Sequence, residues 1–256
     1  MIPENDFDCA SRLAEMRWPA GFECVCGGIR HRRISTRPRV FVCRACTRQK
    51  SVTAGTLMHG CHVPLQHWFL AAKMISRRTG VSAREVQREL KVSYETAWQL
   101  LHRLRAGMRS AKPDMVGDLV MAVGGIRTSR PYRDGGPRRV FRNVSWVVSV
   151  VGTDSVVLGQ VRRAREAYGW ANEELGIDDE LTDPGSRASR VLRRLWAQVQ
   201  GIHCGVSERW LPRYMAEREH RTNNGSSPLL ASLMAPRHRF VDLRPEFSRW
   251  PSYHTP

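Results

Sequence analysis

Two cysteine doublets constrain this chain more than any other feature. Cys24-Val-Cys26 and Cys43-Arg-Ala-Cys46 each place two thiols on one tight turn. Tetrahedral zinc needs four soft ligands brought together by two such turns, so Cys24, Cys26, Cys43 and Cys46 are the expected ligands of a structural zinc ribbon. The second doublet has the usual knuckle spacing. The first is one residue short, which alters the turn that lets backbone N–H groups meet the sulfurs. Either the site is strained, or His31 or Cys9 takes a ligand place. The segment between the doublets, IRHRRISTRPRVFV, sets apolar Val40 and Val42 at alternate positions with Ile34 opposite, as a small hairpin would. Cys61 and Cys204 stand alone and read as small apolar residues.

Composition narrows the setting. Of 256 residues, 41% are hydrophobic and 25% charged, enough for one sizeable core beside a small metal-stabilised unit. The seven cysteines suit metal better than disulfides if the compartment is reducing. The acidic, amphipathic stretch from Met1 to Met16 is unlike a secretory leader, and no run of about 18 apolar residues suggests a membrane span. A cytoplasmic, nucleoid-associated protein is therefore expected, with no membrane partner. Net charge is +17, which favours a polyanion, and double-stranded DNA is the expected partner. Residues 1–114 hold 20 basic and 9 acidic residues, against 21 and 15 in residues 115–256, so the front is the more basic part. Arginine makes up 37 of the 41 basic residues; genomic bias explains that choice, but not the excess of base over acid.

Behind the doublets, residues 59–108 read as helical, with Pro64 at a helix start. Ser82 opens a capping box with Glu85, and Ser93 caps the next helix. Val86, Leu90, Val92, Ala97, Leu101 and Leu104 fall at helical spacing across a short turn at Lys91-Val92, as two crossing helices sharing one core require. That is the pattern of a helix-turn-helix. Its second helix then carries the expected DNA-contacting residues Ser93, Tyr94, Gln99, His102, Arg103 and Arg105, with Gln99 suited to adenine and Arg103 to guanine or phosphate. A helical hairpin with a solvated charged face would show the same periodicity.

Elsewhere, a short helix is expected from Asp8 or Ser11 to Met16, ending at Trp18-Pro19. The Gly-, Pro- and Arg-rich residues 124–139 read as an exposed loop. Two Val-rich strands should flank a turn at Gly152-Thr153-Asp154-Ser155. Residues 188–200 and 206–221 read as helices, Ser207 capping the second.

In order and in detail, RWPAGFECVCGG, FVCRACTRQKSVTAGTLMHG and PLQHWFLAAKMISRRTGVSAREVQRELKVSYETAWQLLHRLRAGM resemble the front of bacterial insertion-sequence transposases, closely over residues 17–108. GIHCGVSERWLPRYMAEREHRTNN resembles the segment after that family's last catalytic helix, and the likeness weakens between about 115 and 190. The resemblance implies a zinc ribbon, a helix-turn-helix and an RNase H-like core that cuts and joins DNA with two carboxylate-held metal ions.

At the family's catalytic positions this chain departs from the pattern. The run before Gly124-Gly125 is Leu119-Val-Met-Ala-Val123, without the first aspartate; Asp118 lies nearby, out of register. Tyr168, in Ala167-Tyr-Gly-Trp170, stands where the second aspartate is expected. Arg194 takes the third ligand position and Trp196 that of an adjoining lysine. Tyrosine is a poor ligand for a hard divalent metal at neutral pH, and Arg194 would repel one. The core therefore reads as catalytically degenerate, with no catalytic residue assigned. The alternative is an active transposase that binds magnesium through displaced carboxylates, with Asp118, Asp183 and Glu217 as candidates. Asp154 suits a hairpin turn for local reasons.

The expected architecture is α+β and multidomain: an N-terminal helix (1–19), a zinc ribbon (20–50), a helix-turn-helix bundle (60–112), a reduced RNase H-like α/β core (115–222) and a tail (223–256). The leading functional expectation is a transposase-like DNA-binding protein without strand transfer: a decaying element, an inhibitor of a related active transposase, or a domesticated regulator. It would act alone, as a homodimer, or beside that active relative. A third reading makes the front a protein-interaction platform.

Overall fold

A computed structural model describes residues 5–77, 79–108, 120–128, 143–152, 155–161, 164–166 and 186–224. It forms two compact units. The described residues of the first are 5–75 and 83–107; those of the second are 76–82 and 108–224, less the gaps above.

The first unit begins with α1 (Asp6–Arg17). It starts earlier than expected because Asn5 is the cap: its side-chain oxygen accepts from the Asp8 N–H at 2.9 Å. Cys9, Ala10 and Leu13 bury one face completely. Three antiparallel strands follow in sequence order: β1 (His31–Ile34), β2 (Arg37–Cys43) and β3 (Gln49–Ser51). The third strand has no counterpart in the expected hairpin. A register shift after Arg33 also pairs Ile34 with Arg37, while Arg32 is the residue that faces Val42.

Three helices complete this unit: α2 (Leu65–Ile75), α3 (Ala83–Leu90) and α4 (Tyr94–Met108). Helix does not begin at residue 59; a turn there gives way to irregular chain up to Pro64. Trp68 of α2 is fully buried, and so are Val86, Ala97 and Leu104. Of the apolar positions predicted from helical spacing, Leu90 and Leu101 are buried as well, and Val92 is half-buried. Lys91 ends α3 in the left-handed region (φ 52°), where the chain turns toward the Ser93 cap of α4. Ser93 Oγ accepts from the Thr96 N–H at 3.1 Å.

Arginine-to-carbonyl ties join helix α1, the ribbon and the start of α2. Arg39 donates to the carbonyls of Cys61 (2.9 Å) and Val63 (2.8 Å). Its guanidinium also pairs with Asp6 at 3.2 Å, whose other oxygen accepts from the Gln66 N–H at the start of α2. Arg33 lies 3.5 Å above the Phe7 ring and donates to Ser11 Oγ at 2.6 Å.

The second unit holds an antiparallel meander, β4 (Val120–Thr128), β5 (Asn143–Val151) and β6 (Val156–Val161). Gly124 to Thr128, expected in a loop, belong to β4 and pair in register with Val147 to Asn143. The two predicted Val-rich strands are β5 and β6, and the Gly152 N–H donates to the Ser155 carbonyl at 3.0 Å across their turn. One sheet face, including Ala122, Ile126, Val147, Val151, Val156 and Leu158, packs against α5 (Arg187–Ala197) and α6 (Leu211–Asn224). Gly124 lets α5 approach, since a Cβ there would lie 3.2 Å from Leu192 Cδ1.

Helix α5 runs into a π-helical turn (Gln198–Ile202), and a short 3-10 turn (Glu208–Trp210) precedes α6. Ser207 stands at the cap of that 3-10 turn but its side chain makes no capping bond, so the expected capping role is corrected. Asn223 of α6 bonds both the N–H (2.7 Å) and the carbonyl (2.9 Å) of Val156, and Glu219 accepts from the Leu158 N–H. Among the described residues, these side chains rather than another strand meet the outer edge of β6 at Val156 and Leu158.

Candidate metal centre and nucleic-acid interface

The four expected cysteines converge. Their sulfurs lie within 4.8 Å of one another, with Cys24–Cys46 at 3.6 Å and Cys26–Cys43 at 3.7 Å. Four thiolates about 2.3 Å from a zinc ion at tetrahedral angles stand about 3.8 Å apart, so the residues present fit structural zinc. Among the described residues this is the one group of His, Cys, Asp or Glu side chains arranged to hold an ion.

The short first doublet is absorbed by a tighter turn. In the second knuckle the Thr47 N–H closes back on the Cys43 carbonyl (3.0 Å), four residues away, with Thr47 left-handed at φ 59°. In the first, Gly27 takes that left-handed role at φ 81° and closes on Cys24 only three residues back, at 2.9 Å. A second bond, from the Cys24 N–H to the Gly28 carbonyl at 3.0 Å, locks the loop. Gly28 is required for room: a Cβ there would stand 2.8 Å from Cys43 Sγ and 3.3 Å from Cys26 Sγ. Neither His31 nor Cys9 substitutes. The His31 ring packs 5.1 Å from Phe22 and 5.2 Å from Phe41, and Cys9 is wholly buried in α1.

The knuckles prepare one sulfur for deprotonation. The backbone N–H of Cys46 draws the Cys43 thiol down to about 7, with Ala45 and the neighbouring thiols assisting against desolvation. Cys46 moves the other way, to about 12: the Arg48 N–H lowers it, but hydrogen bonding with the Cys26, Cys24 and Cys43 sulfurs and desolvation outweigh that. Four packed thiols cannot all ionise without a cation among them, as a zinc site requires.

The expected DNA-contacting face of α4 is only partly accessible. Ser93 is exposed, Tyr94 is 46% exposed, and Gln99 is half-buried 3.4 Å from Glu95. His102 and Arg105 are corrected: they are 0% and 1% exposed, because the helix is buried around its circumference from Leu100 onward, Arg103 excepted. The His102 ring lies 3.9 Å from the Trp98 ring, tilted by 37° to it. Arg103 is half-buried and donates to the Leu57 carbonyl at 3.0 Å, so it ties α4 to the preceding loop.

In the second unit Arg194 lies exposed on α5, away from the sheet that Leu192 and Leu195 contact. Glu217 is fully buried and pairs with Arg221 at 2.6 Å. Burial pushes the nearby Arg218 guanidinium down to about 10, and it donates to Gln198 Oε1 at 2.7 Å. Tyr168, Asp118, Asp154 and Asp183 lie outside the described residues.

Sequence reasoning passed over Val25, Ile29, Arg30 and Arg44, which surround the knuckles. The Gly27-Gly28 pair beside Cys26 was the available signal that something approaches closely there.

Residues 4–49 match the transposase zinc-ribbon domain. The match takes in α1 as well as the cysteines, in keeping with the ties that join them. Over 112 residues the chain is 30% identical to an uncharacterized protein in transposable element ISH50 of Halobacterium salinarum. That alignment covers 42% of this chain and 37% of the relative, so little more than a third of the relative's length is spanned. No solved structure matches the chain. Together the two matches support an insertion-sequence transposase relationship and, with the sulfur geometry, structural zinc. No described helix is long and apolar enough to cross a membrane.

Proposed function

We propose that the protein binds double-stranded DNA through its zinc-ribbon unit and is a transposase relative that has lost strand transfer. The observation that carries the first half is the four-sulfur cluster inside a stretch matching a transposase zinc ribbon, in a chain of net charge +17. Helices α3 and α4, joined by the Lys91–Ser93 turn, serve as the helix-turn-helix, with the exposed Ser93 and Tyr94 and the half-buried Gln99 of α4 toward the groove. The meander with α5 and α6 on one face is compatible with a reduced RNase H-like core.

Loss of catalysis is supported by chemistry at the expected positions. Arg194 offers a cation where the resembled family offers a ligand, and Tyr168 stands in for an aspartate. Glu217, one of three carboxylates that could restore a metal site, is engaged with Arg221. The protein would then occupy sites of a related active transposase, alone or as a homodimer, and regulate by competition on the nucleoid.

The test uses the zinc-loaded full chain. Salt-sensitive binding that selects a sequence from random duplexes, without nicking in magnesium or manganese, is the expected result. Metal-dependent nicking at a terminal repeat would establish the active alternative and overturn the loss of strand transfer. Absence of duplex binding at low salt would overturn the DNA-binding reading and favour a protein-interaction platform.

A further inference from the structure

The tip of the zinc ribbon carries an apolar pair that the fold does not use. Among the described residues, Val25 (78%) and Ile29 (74%) are the most exposed large hydrophobic side chains; the others range from 44% to 52%. Scattered surface hydrophobics are ordinary. These two flank the same first knuckle, whose conformation is fixed by the Gly27–Cys24 and Cys24–Gly28 backbone bonds and by Gly28 beneath the sulfurs. The chain thus holds them rigidly in water, at no further ordering cost to a partner.

Beside them is a shallow concavity of about 380 Å³ lined by Gly27, Gly28, Ile29, Arg30, Arg44 and Ala45. Two guanidiniums and no carboxylate line it. Arg30 and Arg44 sit on adjacent strand ends, joined by the Arg44 N–H to Arg30 carbonyl bond at 3.0 Å, and both are exposed. Arg44 Nε also donates to the His31 carbonyl at 3.3 Å, which leaves its terminal nitrogens for a ligand. Residues 20–50 hold eight basic side chains and one acidic, Glu23. That charge suits a polyanion, and the bare Gly27 backbone, with nothing within 4 Å of where a Cβ would stand, lets a sugar-phosphate chain come close.

We propose that this tip is a duplex-DNA contact in which Arg30 and Arg44 hold backbone phosphates while Val25 and Ile29 lie against apolar sugar and thymine-methyl edges. The proposal rests on the DNA-binding reading and locates a second contact apart from the start of α4. Phosphate contacts position a protein and apolar contacts to base edges help specify sequence, so the tip has both kinds of group in one rigid loop.

The experiment measures binding of the zinc-loaded full chain to a 25-base-pair duplex across a salt series, with zinc content and circular dichroism confirming the fold. R30A/R44A should flatten the slope of log K against log salt by about 1.8, or 0.9 for each phosphate lost. V25S/I29S should weaken binding by roughly tenfold with the slope unchanged, since it removes apolar contact and no charge. Wild-type binding with both variants indistinguishable from it would overturn the tip contact and leave the DNA-binding reading standing. So would V25S/I29S converting a dimer to a monomer in sedimentation without changing DNA affinity, which makes the tip a protein interface. No duplex binding by the wild type at low salt would overturn both.

Discussion

The two units are held together by different physics. The first adds polar cross-links to its apolar core: four cysteine sulfurs, Arg33, Arg39 and Arg103 connect elements distant in sequence. The second is a conventional sheet-and-helix sandwich whose cohesion comes from Val147, Val151, Leu195 and their neighbours. A unit of the first kind stands or falls with a few groups, because each tie is specific and the zinc site contributes folding energy outright. A unit of the second kind loses stability in graded steps as methylenes are removed.

Removing zinc gives the largest expected difference. Chelation, or Cys43→Ser, should unfold the ribbon and abolish DNA binding while β4–β6 stay protected in hydrogen exchange. Structural zinc sites of this type contribute about 10–16 kcal/mol of apparent binding energy, more than a unit this size retains as net stability. If the sheet lost protection together with the ribbon, the contrast between the units would be wrong.

Leu195→Ala is the reciprocal cut. It should cost the second unit about 2–5 kcal/mol in denaturant unfolding, with zinc content and duplex affinity unchanged. Gly28→Ala sharpens the first side of the comparison. Its methyl group would crowd Cys43 Sγ, and overpacking of this kind costs about 1–3 kcal/mol, read as weaker zinc retention in a chelator competition. Ser93→Ala should cost about 1 kcal/mol of thermal stability through the lost cap of α4 and leave zinc retention unaltered.

The smallest effect is a pH dependence in the second unit. Burial, and then Arg221, depress the His220 pKa below its ordinary value near 6.5. The unfolded chain therefore takes up the proton first, so stability is present above that value and declines as pH falls below it. Replacing His220 by Gln should shallow this decline in thermal melts taken between pH 7 and 5. An unchanged profile would assign the acid sensitivity of this unit to other groups.

What the sequence disclosed follows the same division. Cysteine spacing picked out the four sulfurs that converge, because metal chemistry is local: two tight turns suffice, and both are written in consecutive residues. The one-residue shortfall in the first knuckle looked like a fault, and only the Gly27 turn shows how it closes. Helical periodicity found the cores of α3 and α4, since apolar spacing reports which face turns inward. It failed for His102 and Arg105, because polarity implies an outward face only when one side of a helix is wet. The extended Gly124-Gly125 stretch was mistaken for a loop; glycine there serves close packing of Leu192 on one sheet face and Val144 on the other. Burial of Glu217 was equally hidden, because it lies in a run with Arg213, Arg218, Glu219 and Arg221 that reads as a wet charged face, although none of these side chains is fully exposed.

Asp6 has a practical meaning for anyone who would isolate the ribbon. One of its oxygens receives the Gln66 amide, 60 residues away in the first turn of α2, and the other holds the guanidinium that clasps the Cys61 and Val63 carbonyls. A fragment begun at residue 20, where the cysteines suggest a natural cut, would strand that arginine and expose the buried faces of Cys9 and Leu13's neighbours. The smallest piece able to stand by itself is therefore set by a single carboxylate near the amino end, and not by the metal ligands that advertise the domain.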